Sequence, residues 1–211
     1  MRGTCLSFAV TAVHEHARFS ASTPTQDEFS TEFLFWHAKQ LDGQMSVDGT
    51  TVMAIGEALA AQGQCAEALW PYDDRVDLAR QYGPPPRRAL LGKRYRGTLE
   101  AFNHDLGSIQ TKLEGGRSVV ACIELWDGFY RCTTSDLVGP SSDLDGALHA
   151  VCVVGFDRSR RAVKLRNSWG SKWGNGGYAW LDETALSVVL RRVSEVNLNT
   201  DDTTAGRGVS D

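Results

Sequence analysis

The chain has 211 residues, 42% of them hydrophobic and 23% charged, with a formal net charge of −4. That size and balance suit one globular domain or two small lobes, and the mild acidity gives no electrostatic ground for a nucleic-acid or anionic-membrane partner. The longest apolar runs, SVVACIEL and HAVCVVGF, are strand-sized and fall far short of the roughly 20 residues a spanning helix needs.

The amino terminus, MRGTCLSFAV, lacks the apolar core and small-residue cleavage site of a secretory signal and enters a helix almost at once. Residues Cys5 to Arg18 are apolar on nearly every side, as expected of a helix buried at the centre of a lobe. A second helix is predicted from Glu32 to Leu41, stopping at Gly43. A third runs from Thr51 to Gln62, with Thr50 as its cap and Gly63 as its stop. The segment YGPPPRRALLG breaks the pattern; its three consecutive prolines predict an extended connection, and the lobe boundary is placed there.

One more helix is predicted from Leu99 to Leu113, ending at Gly115 and Gly116. Beyond it, short β-branched runs follow at Ser118 to Leu125, His149 to Phe156, Ala162 to Arg166, Gly177 to Leu181 and Val188 to Val196, the pattern of a small antiparallel sheet or barrel. The expected organisation is a helical lobe over 1–90, a β lobe over 91–197 and a disordered polar tail over 198–211. Five cysteines (Cys5, Cys65, Cys122, Cys132, Cys152) without paired spacings fit a reducing compartment, so a cytoplasmic location is expected, or a secreted one if an export signal precedes Met1.

Three residues carry chemistry. Cys5 heads an apolar helix, where roughly half a positive charge and unpaired amide donors favour thiolate over thiol. His149 opens the strand HAVCVVGF; taken alone it reads as a structural histidine at a strand edge. Asn167 alone reads as a turn residue, but its segment NSWGSKWGNGGY sets two tryptophans among four glycines. That composition suits an aromatic cover that shields an imidazole-to-amide hydrogen bond from water and so strengthens it. A thiol, an imidazole and an orienting amide are the minimum apparatus of thiol-based acyl transfer.

The blocks RGTCLSFAV, HAVCVVGFD and NSWGSKWGNGGY resemble the cysteine, histidine and asparagine blocks of the papain family of cysteine peptidases, and GQCAEALWPYDD resembles its PY segment. The resemblance covers Gly3 to about Val196 and its flavour is that of short bacterial members. It implies a two-lobed α+β fold with the cleft between lobes, Cys5 as nucleophile, His149 as general base and acid, and Asn167 as the group that orients the imidazole. Trp169 would cover that pair and Trp173 would line the leaving-group side. Gly3 ahead of Cys5 lets substrate lie against the backbone, and Gly49 would hold an extended substrate, with Thr50 in place of a second glycine. Ala147 falls in the main specificity pocket and leaves it open and apolar. The implied activity is an endopeptidase acting on peptide or protein substrate without cofactor or metal, controlled by a protein inhibitor or an upstream segment.

The chain departs from the pattern in four places. The family's second oxyanion donor, a glutamine six residues before the cysteine, falls ahead of Met1, Val47 stands where a loop cysteine is usual, Leu148 replaces an aspartate beside the histidine, and no inhibitory propeptide is expected. A catalytically silent peptide- or partner-binding module is therefore the rival expectation, and a transpeptidase or deamidase with the same triad is a third. His14 and His16, two apart, cannot share a metal as an i, i+4 pair would and are expected on the surface. The absence of a CxxC pair argues against a zinc ribbon or a thioredoxin-type site.

Overall fold

In the computed structural model the described residues are 2–21, 25, 27–78, 82–140 and 143–199. Helices α1 (Cys5–Phe19), α2 (Thr31–Asp42) and α3 (Val52–Ala61) come first, then a single 3-10 turn at Glu67–Leu69 and the short α4 (Arg87–Leu91). The remainder is β1 (Gly97–Ala101), α5 (Leu106–Glu114), β2 (Val119–Trp126), α6 (Asp127–Tyr130), β3 (Leu144–Asp157), β4 (Ala162–Arg166), β5 (Tyr178–Asp182), α7 (Glu183–Val189) and β6 (Leu190–Leu198). The strands form one antiparallel sheet in the order β1-β6-β2-β3-β4-β5.

Alternation along the strands divides the apolar side chains between two cores. Val120, Ala150, Cys152 and Val196 face α1, where they meet Leu6, Val10 and Val13 together with Leu34 of α2 and Ile55 and Leu59 of α3. Their sequence neighbours Val119, Ala121, Ile123, Val151 and Val193 point the other way, into a core with Ile109, Phe129, Trp173 and Leu186. At roughly 1.5–3 kcal/mol for each fully buried large side chain, these two cores hold the sheet between them. The sheet thus delivers the start of α1 and the middle of β3 to the same place.

Tertiary pairing overrode local pattern in several elements. The expected helix from Leu99 begins only at Leu106, where the Asp105 side chain accepts from Ser108 N–H as a cap. Residues 97–101 are instead a strand, because β6 offers Val196 and Asn197 as ladder partners to Leu99 and Thr98. The proline run ends in a helical turn, with Pro86 as the residue before Arg87–Leu91, and Val188 and Val189 close α7 before β6 starts. The cap of α3 is Thr51, whose hydroxyl accepts from Ala54 N–H, while Thr50 donates to Asp42. His14 is not on the surface: it is fully buried and bonds Gln64 at 2.9 Å through Nδ1, and burial lowers its pKa to about 4. His16 is exposed, as expected. The polar stretch from 200 on lies outside the described residues; of the expected tail, Leu198 belongs to β6.

Candidate active site

The segment ahead of Cys5 is held from three sides. Arg2 donates to both carboxylate oxygens of Glu32 at 2.7 and 2.8 Å and to the Asp73 carbonyl at 2.7 Å. Its guanidinium lies over the rings of Phe35, Tyr72 and Tyr82. Gly3 donates its N–H to Asp48, and a Cβ at position 3 would run into the Gly49 backbone, so only glycine lets the two segments touch. Gly49 in turn offers its carbonyl to Lys39, a buried cation paired with Asp42. A hydrogen-bonded and ionic clasp therefore fastens the 44–50 loop to the nucleophile segment, where the family pattern has a cysteine that Val47 replaces.

Thr4 occupies the N-cap of α1 but makes no side-chain cap; its hydroxyl bonds Tyr72 Oη at 3.1 Å. The first helix amides are thus left for the sulfur. Cys5 Sγ is approached by the N–H groups of Ala150, Leu6 and Cys5 itself. Ala150 follows His149 directly, and Cys5 and His149 border the same cleft.

The imidazole's tautomer follows from a backbone donor. Asn167 Oδ1 accepts Ser168 N–H at 2.8 Å, and that amide can only donate, so the atom facing it must be the carbonyl oxygen. His149 Nε2 stands 2.8 Å from the same oxygen and must also donate. The neutral ring therefore carries its hydrogen on Nε2 and keeps a lone pair on Nδ1, free to take a proton. Asn167 is itself pinned by its N–H to the Gly177 carbonyl. Over the pair lies Trp169, 4.9 Å from the His149 ring centre, with Phe129 at 5.4 Å on another side and Tyr130 stacked on the outer face of the indole. His149 is 5% exposed and Asn167 8%, so water is largely kept from their bond.

Burial acts on both titrating groups in the direction of neutrality. It pushes the Cys5 thiol above its ordinary value against the pull of three N–H groups, which reverses the expectation from helix position alone. It pulls His149 below the ordinary histidine value, with the Asn167 bond opposing. Each charge is disfavoured singly, whereas passing the proton from sulfur to Nδ1 makes two charges that compensate each other. A His149→Ala chain removes that acceptor, so its thiol should titrate above the usual cysteine range. Iodoacetamide alkylation of Cys5 followed by mass should then be slow at neutral pH and climb about tenfold per pH unit into the alkaline range. A plateau below neutral pH in that variant would show that burial does not govern the sulfur.

Gly3, Cys5, Tyr72, His149, Ser168 and Trp169 share one cleft of about 440 Å³. Asp74 also borders it, a residue that no motif marks. The other expected substrate contacts lie around it. Gly49, at φ +85°, sits against Gly3, and Thr50 bonds Asp42. Ala147 is exposed just after Gly146, which turns with φ +79°. Trp173 is set behind Trp169 rather than on the cleft wall: it is 4% exposed and donates its indole N–H to the Phe129 carbonyl, because the ring completes the apolar core under α6. Sequence reasoning missed Arg2, Glu32, Lys39 and Phe129, which only distant partners make meaningful.

Among curated proteins, a peptidase C1-like protein of Acanthamoeba polyphaga mimivirus is 24% identical over 213 residues, covering 94% of this chain. The gamete and mating-type specific protein A of Dictyostelium discoideum is 36% identical over 52 residues, covering 25% of this chain. The chain spans 65% of the first relative's length and 12% of the second's. Xylellain, a cysteine protease from Xylella fastidiosa, shares the fold with a TM-score of 0.81 at 20% identity, over 93% of this chain and 80% of that one. A cysteine protease of Carica candamarcensis does so with a TM-score of 0.69 at 17% identity, over 94% and 90%. The family model described as papain family cysteine protease matches residues 2–192, and with the α+β architecture it places this chain in the papain family.

Proposed function

We propose that this chain is an endopeptidase that cleaves peptide bonds through a thioester on Cys5. The observation that carries the reading is the fixed hydrogen-bond chain from Ser168 N–H through Asn167 Oδ1 to His149 Nε2, which leaves Nδ1 as a base in the cleft that also holds Cys5. The Cys5 proton passes to Nδ1 as the sulfur attacks the substrate carbonyl. The amides at the start of α1 stabilise the oxyanion, and the imidazolium protonates the departing amine. His149 then takes a proton from water, which attacks the thioester and releases the acid, and the thiol is restored.

The second reading is a silent peptide-binding module, favoured by the burial that keeps Cys5 in its thiol form. An epoxysuccinyl peptide separates the two. Stoichiometric addition to Cys5 with loss of turnover, read by intact mass and peptide mapping, is the expected result. An unlabelled Cys5 in a chain that still binds peptide would establish the silent module.

A further inference from the structure

We propose that Tyr130 is a positioning residue for the thiol and imidazole: it presses Trp169 onto the His149–Asn167 hydrogen bond and ties that cover to the strand carrying His149. This rests on the reading of His149 as the base.

Trp169 does not hold itself in place. It stands in a loop, with Gly170 at φ +82° directly after it, and among the described residues its indole N–H makes no hydrogen bond. Two indoles of the core beneath it differ: Trp126 donates to the Val138 carbonyl at 2.8 Å and Trp173 to the Phe129 carbonyl at 2.7 Å. Trp169 is therefore kept over the pair by ring packing. One face lies toward the imidazole, 4.9 Å between ring centres, and Phe129 meets it edge-on at 5.2 Å. Tyr130 supplies the other half of a sandwich. The phenol and indole planes lie 19° apart with 5.6 Å between centres, a stacked pair.

Tyr130 is itself anchored twice. Its backbone ends α6, whose Phe129 is fully buried against His149 and Trp173. Its hydroxyl donates to Asp145 Oδ2 at 2.9 Å, since a carboxylate can only accept. The other oxygen of Asp145 takes the N–H of Ala147 at 2.8 Å, two residues ahead of His149 on β3. Cover and base are thereby fixed to one strand.

Tyr130 is 47% exposed, and it does not border the cleft that Cys5, His149 and Trp169 share. Neither core burial nor a place on the cleft wall accounts for a phenol at this position. What it does touch is the cover. A stacked aromatic pair and a hydrogen bond each bias an equilibrium by about two- to tenfold. Without the phenol, Trp169 can swing outward, water reaches the bond to Asn167 Oδ1, and the imidazole turns away from its productive orientation for part of the time.

The test compares Tyr130→Ala, Tyr130→Phe, Asp145→Ala and Asn167→Ala, and the double variant of Tyr130→Ala with Asn167→Ala, against the parent chain. Two quantities are read: steady-state kcat and KM on a fluorogenic peptide, and the rate of Cys5 alkylation by iodoacetamide at neutral pH, followed by peptide mapping. Iodoacetamide is too small to need a substrate wall, so its rate reports the thiol and imidazole alone. Tyr130→Ala should lower kcat and the alkylation rate together by about tenfold, with KM within about twofold of the parent. Tyr130→Phe keeps the stack and should recover to within about threefold of the parent, and Asp145→Ala, a surface change that spares both rings, should match it. In the Asn167→Ala background Tyr130→Ala should cost less than about twofold more, because both act through one bond. A Tyr130→Ala chain that alters KM while leaving the alkylation rate unmoved would make Tyr130 a substrate contact and overturn the inference, as would a full tenfold loss on top of Asn167→Ala. If the epoxysuccinyl peptide fails to label the parent while the alkylation rates still fall in this order, the peptidase reading is lost and the positioning role of Tyr130 stands.

Discussion

A Cys5→Ala chain should lose turnover of a fluorogenic peptide by on the order of 10⁶-fold in kcat, the scale set by removing the nucleophile of a catalytic unit. The fold should stay intact, with an unfolding free energy within about 1 kcal/mol of the parent, because the half-buried sulfur contributes little packing beside the large side chains around it. His149→Ala should be nearly as severe, and the double variant no worse than either single one, since groups that act as a unit fail together. Asn167→Ala should be milder, about 10²-fold, because it frees the imidazole to turn without removing the base. Steady-state kinetics on all four chains check the ordering. An Asn167→Ala chain slower than His149→Ala would mean that proton transfer does not run through the imidazole.

The second large effect is expected far from the thiol. Glu32→Gln leaves the Arg2 guanidinium, whose side chain is 5% exposed, without its counter-charge inside a ring of aromatic side chains. Breaking a buried pair from one side costs about 3–5 kcal/mol, a large share of the 5–15 kcal/mol that holds a typical domain together. Urea unfolding should show the midpoint falling accordingly. Replacing both partners by apolar groups, Arg2→Met with Glu32→Leu, should recover most of the loss, because no charge is then stranded. Equal destabilisation in the single and double variants would show that the pair acts through shape alone. Since Arg2 anchors the segment that ends at Cys5, the single variant should also label more slowly with the epoxysuccinyl peptide.

The elements whose own side chains make the periodic pattern were legible in the sequence. The spans of α1 and α2 and the whole of β4 follow from runs of apolar side chains and from stops such as Gly43, which turns with φ +69° as a left-handed cap. The Asn167 segment was legible because glycines beside indoles have no use in an ordinary strand, whereas His149 alone read as a structural histidine. What the sequence hid depends on partners far along the chain. Leu99 reads as helical until β6 is set beside it, and His14 reads as a surface residue until Gln64 arrives from fifty residues away. The bulge by which Ile123 pairs Leu190 rather than Arg191 is a matter of register, and register of that kind leaves no trace in composition.

The strand order has a bearing on how the molecule is made. β6, the last strand, is not an edge: it lies between β1 and β2, and it is the strand through which β1 joins the rest of the sheet. On a ribosome the residues up to Asp182 can pair β2 to β5 among themselves, but β1 has no ladder partner until Leu190–Leu198 has left the exit tunnel. A nascent chain therefore holds Cys5 and His149 before the sheet behind them is complete, so the candidate site is finished only with the last strand.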